Sequence, residues 1–229
     1  RNDRHILAAD YDRELGHLFG LQSEVAGKVA AALAATLTGY ERGELDRVAT
    51  NNGDAYNLYL RAVAMGFRAT VVDDHTDLEG SQRLLKQALQ LDPNFSDAAA
   101  LISLLCSGIF FYTKIPADGD CARKYYERAL VLDPQLPEAR LARGSYEMYV
   151  TGDIDQAIAD LDAVVRLRPN CAMAHSTLGR ALRRHSRFDE ALTHFERAWD
   201  LDPLRPGPPF WISSTLAGLR RYPELIGPR

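Results

Sequence analysis

Three groups of side chains in this sequence are of types that could do chemistry. The stretch "VVDDHTD", Val71–Asp77, sets three aspartates around His75 and so offers donors of the kind that bind metals. Its spacing does not bring several ligands onto one ordered face. It reads instead as a polar loop and helix start, where aspartate is favourable beside the N-terminal amides. His175, His185 and His194 lie close in sequence, but steps of ten and nine residues do not align them on one helix. Cys106, Cys121 and Cys171 are odd in number and lack C-x-x-C or other metal spacing. They read as small buried hydrophobes of a reducing compartment. No G-x-S-x-G, H-E-x-x-H or Gly-rich phosphate loop is present. The expectation is a protein that is not an enzyme and holds no cofactor or metal.

The elements that would position any site announce themselves by repetition. "ALQLDPNF" at Ala88–Phe95 returns as "ALVLDPQL", "VVRLRPNC" and "AWDLDPLR". The prolines of these echoes, Pro93, Pro134, Pro169 and Pro203, stand 41, 35 and 34 residues apart. Each echo is a helix end stopped by proline, which fixes φ and lacks an N–H. Asp92, Asp133 and Asp202 precede proline and so favour extended backbone. Between the echoes, apolar residues recur three or four apart, in two helices per unit. In Ala172–Pro203 the inward positions are Leu178, Gly179, Leu182, Ala191, Phe195 and Ala198; small residues let the helices approach and Phe195 fills the space between them. The preceding unit has one extra residue before Gly152, and Gly144, Ala157 and Leu161 take the same roles. The unit before that carries about seven extra residues in "FFYTKIPADGD", read either as a lid or partner surface or as a longer helix end folded onto its neighbour. Tyr146, Tyr149 and Phe111 read as packing residues.

A period near 34 residues with these occupied positions resembles the tetratricopeptide repeat. The fold expected is all-α, an α-solenoid of helix-turn-helix repeats over 51–229, about four plus a truncated fifth. Residues 1–20 are expected to be the remnant of an upstream α/β domain, with a short strand in "RHILAADYD", and 21–50 connecting helices. There Thr38 and Glu41 form a T-x-x-E helix start, as do Thr76 and Glu79 further on. A second helix of the fifth unit is expected to break off just after Leu225. The strings "YDREL", "LQSEVA" and "AYNLYLRA" resemble a bacterial regulator family in which a TolB-like domain precedes such repeats. That resemblance implies the sensory or scaffolding part of a signalling or transcription regulator, joined to a class III nucleotide cyclase or a winged-helix DNA-binding domain.

Composition agrees. The 229 residues are 46% hydrophobic, enough for one or two soluble domains, and the net charge of −4 gives no reason to expect nucleic-acid binding by this region. No apolar run is read as approaching the roughly 18–20 residues that span a bilayer, so no membrane contact is expected. The start does not read as a signal peptide. The expected place is the cytoplasm, or the periplasm if a membrane helix lies upstream.

Function is expected to lie in shape. In the tetratricopeptide family the second, fifth, ninth and twelfth residues of a unit line the concave groove. Here the resemblance gives Glu138, Leu141, Ser145 and Met148, then Met173, Ser176, Arg180 and Arg183, then Phe210 and Ser214. Such a groove would hold a protein or peptide segment, acidic where arginine meets it. Arg180, Arg183, Arg184 and Arg187 equally fit a solvated helix face. The alternative function is self-association, making a homodimer that pairs two upstream output domains.

Overall fold

The computed structural model describes residues 24, 25, 28, 38–45, 47–72, 75–204 and 207–221. The chain divides into two compact units, Arg1–Val48 and Ala49–Arg229. The strand expected at 4–12, the Thr76 side chain and the helix expected about Leu225 lie outside the described residues, as do most of residues 21–37 of the expected connecting helices.

In the first unit, Lys28 Nζ lies 2.8 Å from the Glu24 carboxylate. Helix α1 spans Gly39–Leu45. Its start closes reciprocally: the Glu41 amide donates to Thr38 Oγ1 at 3.1 Å, and the Thr38 amide to Glu41 Oε2 at 2.9 Å.

The second unit is built from helices paired in tandem, with no strand among the described residues. The pairs are α2 (Gly53–Val72) with α3 (His75–Leu91), α4 (Ser96–Thr113) with α5 (Pro116–Leu132), α6 (Pro137–Tyr146) with α7 (Ile154–Leu167), and α8 (Ala172–Arg184) with α9 (Phe188–Leu201). A further first helix, α10 (Gly207–Gly218), packs on α9. The proline stop works as the sequence implies. Asp133 and Asp202 adopt extended backbone, φ −144° and −145°, and their amides close the preceding helix on Ala129 and Ala198 carbonyls.

The uneven spacing has a structural reading in each case. α4 has 18 residues against 13 in α8, and α5 has 17 against 14 in α9, while the α4–α5 link is one residue shorter; together these absorb the seven extra residues. "FFYT" is therefore a longer helix end, with Phe111 packed on Tyr149. The single extra residue before Gly152 widens the end of α6 into a π turn, Glu147–Thr151, and Gly152 follows at φ 82°. Left-handed residues end α4 and follow α8 as well, at Lys114 and Ser186.

Inside each pair the crossing is close. Ser81 donates to the Ala62 carbonyl at 2.8 Å, and Ser103 to the Ala122 carbonyl at 2.7 Å. In the later units glycine serves. A Cβ on Gly144 would stand 2.9 Å from Leu161 Cγ, and one on Gly179 would stand 2.6 Å from Phe195 Cε1. Arg143 ties α6 to α7 by a two-pronged ion pair with the buried Asp160, one arm measuring 2.7 Å.

Two expectations are corrected here. Cys106 and Cys121 are joined in a disulfide across the α4–α5 pair, with Cα atoms 5.9 Å apart. Antiparallel helices bring residues fifteen apart in sequence face to face, which residue spacing alone conceals; Cys171 is the free cysteine. And α4 is, by length and composition, apolar enough to cross a bilayer. Half of it is buried, packed against α3, α5 and α6, so here it serves as a core helix.

His175 and His194 also meet across a pair, with Nδ1 atoms 2.9 Å apart and His175 Nε2 3.1 Å from the Pro169 carbonyl. A carbonyl only accepts, so His175 Nε2 carries its proton and its Nδ1 accepts from His194. Burial pushes both imidazole pKa values down, aided at His194 by Arg187 and at His175 by the partner ring and Arg197; the Pro169 carbonyl opposes this at His175, as Asp162 and Glu190 do at His194.

Two outcomes test this packing. Gly179→Ala gains helix propensity of up to about 1 kcal/mol, but forces a methyl against a closed-in ring. The overpacking cost of about 1–3 kcal/mol should win, lowering the urea midpoint, with Phe195→Leu restoring part of it. Because the folded histidines hold protons less tightly than the unfolded chain, the unfolded state takes up more protons as pH falls through about 6.5. Stability should therefore be full above that pH and decline below it, and the decline should flatten in a His175→Gln, His194→Gln variant followed by thermal melts.

Candidate protein-binding surface

The ten groove positions separate in the structure. Leu141, Ser145, Met148 and Ser176 are buried, and Leu141 and Met148 sit in one apolar cluster with Leu178 and Leu182. First helices also contact one another, α4 with α6 and α8 with α10. Glu138 pairs with Arg168, closing the α6–α7 unit on itself. Met173 packs on the same cluster, and the Ser214 hydroxyl donates to the Trp211 carbonyl at 3.1 Å. Arg180, Arg183 and Phe210 remain as surface features.

The arginines do not simply extend into water. The Arg180 guanidinium lies 5.6 Å from the Tyr149 ring centre, Arg184 lies 5.5 Å from the same ring, and Arg183 lies 5.5 Å from Trp211. Such stacking pins a guanidinium on a ring face and leaves its N–H edge free. Arg180 donates to Thr177 Oγ1 at 3.2 Å and Arg184 to the Met148 carbonyl at 2.6 Å. The last contact follows from the π turn, which displaces carbonyls from the regular i→i−4 ladder.

What these three arginines lack is a carboxylate. Among the described residues, none forms an ion pair with an acid, and the Nε atoms of Arg180 and Arg183 are buried without a hydrogen-bond partner. Other arginines nearby are satisfied: Arg187 forks onto Glu190 at 2.6 and 2.7 Å, and Arg221 reaches Asp189 at 2.5 Å. Arg187, grouped with the others in sequence, thus belongs to a different class. His185 lies 3.0 Å from Asp155, apart from the His175–His194 pair. Among the described residues no three His, Cys, Asp or Glu side chains converge as a metal site would require.

Sequence reasoning missed Tyr149, Trp211 and Arg184 as members of this surface. The single available signal for Tyr149 was the extra residue before Gly152. Nothing in the spacing marked Trp211 as the ring beneath Arg183.

Comparison with known proteins places the architecture. Residues 149–206 match the tetratricopeptide repeat family. The chain is 25% identical over 178 residues to anaphase-promoting complex subunit 3 of Schizosaccharomyces pombe; the match takes in 74% of this chain and 25% of that one, so the chain spans about a quarter of the relative's length. Among solved structures, TTC0263, a thermophilic tetratricopeptide protein of Thermus thermophilus, aligns with a TM-score of 0.53 at 19% identity, over 87% of this chain and 96% of its own. PilF of Pseudomonas aeruginosa aligns at 0.49 and 18% identity, over 73% and 72%. The first of these structures shows the shared fold. With a tetratricopeptide match over 149–206, paired helices before it and a further first helix after it, the chain has the all-α architecture of a tetratricopeptide-repeat solenoid.

Proposed function

We propose that this chain is a non-catalytic interaction module that holds an acidic peptide or protein segment against its first helices. The observation that carries this is the set of three ring-stacked arginines without an acid partner among the described residues. A solvated helix face would leave guanidiniums to water. Here the rings hold Arg180 and Arg183 half-buried in fixed positions, with no carboxylate beside them among the described residues. A carboxylate fits the fork, and each charge-assisted hydrogen bond contributes about 1.5–3 kcal/mol when well formed. A relative named as a subunit of the anaphase-promoting complex is in keeping with work done by binding other chains.

The wider setting we propose is the scaffolding part of a bacterial signalling or transcription regulator. Its support is the likeness of "YDREL", "LQSEVA" and "AYNLYLRA" to TolB-like regulators. Of the two compartments, the Cys106–Cys121 disulfide favours the periplasm, because cytosolic thiols are ordinarily kept reduced.

Random-peptide display on the intact chain should enrich acidic sequences, and Arg180→Ala with Arg183→Ala should weaken them at least tenfold while leaving the thermal melt in place. Enrichment of neutral or basic peptides, or of none, would sink this reading. For the compartment, denaturing maleimide labelling of protein extracted without reductant should tag one cysteine per chain; three tagged cysteines would return the cytoplasmic placement.

A further inference from the structure

The arginine cluster of α8 is the middle of a longer row of neighbouring side chains. On one side Phe111 packs on Tyr149 with ring centres 5.1 Å apart and meets Tyr112 edge-on at 5.0 Å. Tyr112 is 62% exposed and Ile115, two residues past the end of α4, is 53% exposed. Lys114 caps this end, its ammonium 5.2 and 5.3 Å from the Phe111 and Phe110 ring centres. On the other side Trp211, beneath Arg183, meets Phe210 edge-on at 5.0 Å, and Phe210 is 62% exposed. The line crosses α4, the π turn after α6, α8 and α10, one first helix after another. Its order is an exposed aromatic end with Lys114 over its inner rings, the arginines, and a second exposed aromatic end.

We infer that the segment this face recognises has an acidic centre flanked on both sides by a large apolar residue, bound in extended form. The inference rests on the reading above, that the first helices take an acidic segment, and adds the pattern and length of that segment. Five ring and cation steps of 5.0–5.6 Å, with the i,i+3 spacing of Arg180 and Arg183 on α8 of roughly 5–6 Å, give a contour of about 30 Å. An extended chain at roughly 3.3 Å per residue covers that with about nine residues. The centre needs carboxylates because the arginine edges there have none among the described residues. The ends need apolar side chains because Tyr112, Ile115 and Phe210 offer area and no charge of their own. A single-stranded nucleic acid would also seek cations and rings. It fits less well, since the faces of Tyr149 and Trp211 are already taken by guanidiniums and the chain as a whole carries a charge of −4.

Fluorescence polarisation on the intact chain with four labelled probes tests this. The first is a nine-residue peptide with Phe at each end and three Glu at the centre; the second replaces Glu by Gln, the third replaces Phe by Ala, and the fourth is a nine-base oligothymidine. The first probe should bind, the second at least tenfold more weakly, and the third at least threefold more weakly. Tyr112→Ala with Phe210→Ala should make the chain indifferent to the loss of Phe. Because the first comparisons change the peptide and not the protein, they hold even where a variant folds poorly. Equal binding of the first and third probes, with both dependent on Arg180 and Arg183, overturns the flanking pattern and leaves the acidic reading standing. Absence of binding by either acidic probe, or binding that ignores the Glu→Gln change, overturns both. Competition by the oligothymidine at comparable concentration overturns the peptide assignment in favour of nucleic acid.

Discussion

The close crossing of two helices within each unit is the contact on which the rest of the stack depends. It recurs with different atoms: a serine hydroxyl on the partner's carbonyl at Ser81 and Ser103, and a glycine under a large side chain at Gly144 and Gly179. Both devices answer one constraint. Neighbouring helices come near enough to close their core when the residue at the crossing has almost no side chain, or has one that satisfies its polar atom locally. Once the pair is closed, Phe195, Leu161 and Leu85 are walled in, and each pair offers an apolar side to the next. A solenoid of this kind has no single central core, and its stability is a sum over neighbours.

That regularity makes the departures informative. Added residues in α4 and α5 lengthen a helix pair without disturbing its register, and the Cys106–Cys121 bond clips the lengthened pair together. One added residue in the next unit has a different effect. It is too few for another turn and is taken up as a π turn, which puts Tyr149 between Phe111 and the arginines of α8 and leaves the Met148 carbonyl to Arg184. A small irregularity in one repeat thereby links the surfaces of three consecutive first helices.

The polar ties across the pairs show how far one repeat drifts from another under the same fold. Arg143 with Asp160 in one unit is an ion pair, while His175 with His194 in the next is a neutral hydrogen bond. Each satisfies its own buried groups. The histidines were visible in sequence, yet an argument confined to one helix could not join them, since they lie on opposite members of a pair.

The sequence by itself determined the architecture. Proline stops at near-equal intervals, small and large residues in fixed order, and aspartates before proline are local signals, and local geometry obeys them wherever the residues are described. It also marked Arg180 and Arg183 as surface residues worth naming. Only the tertiary structure decided which surface positions stay open: Leu141, Ser145, Met148 and Ser176 are buried, whereas Tyr149 and Trp211 meet the arginines. The cysteine bond and the histidine pair were settled at the same level. The reason is common to all of them. Periodicity tells which face of a helix is apolar, but which residues of two helices touch depends on crossing angle and register, and those are fixed by packing against neighbours far along the chain.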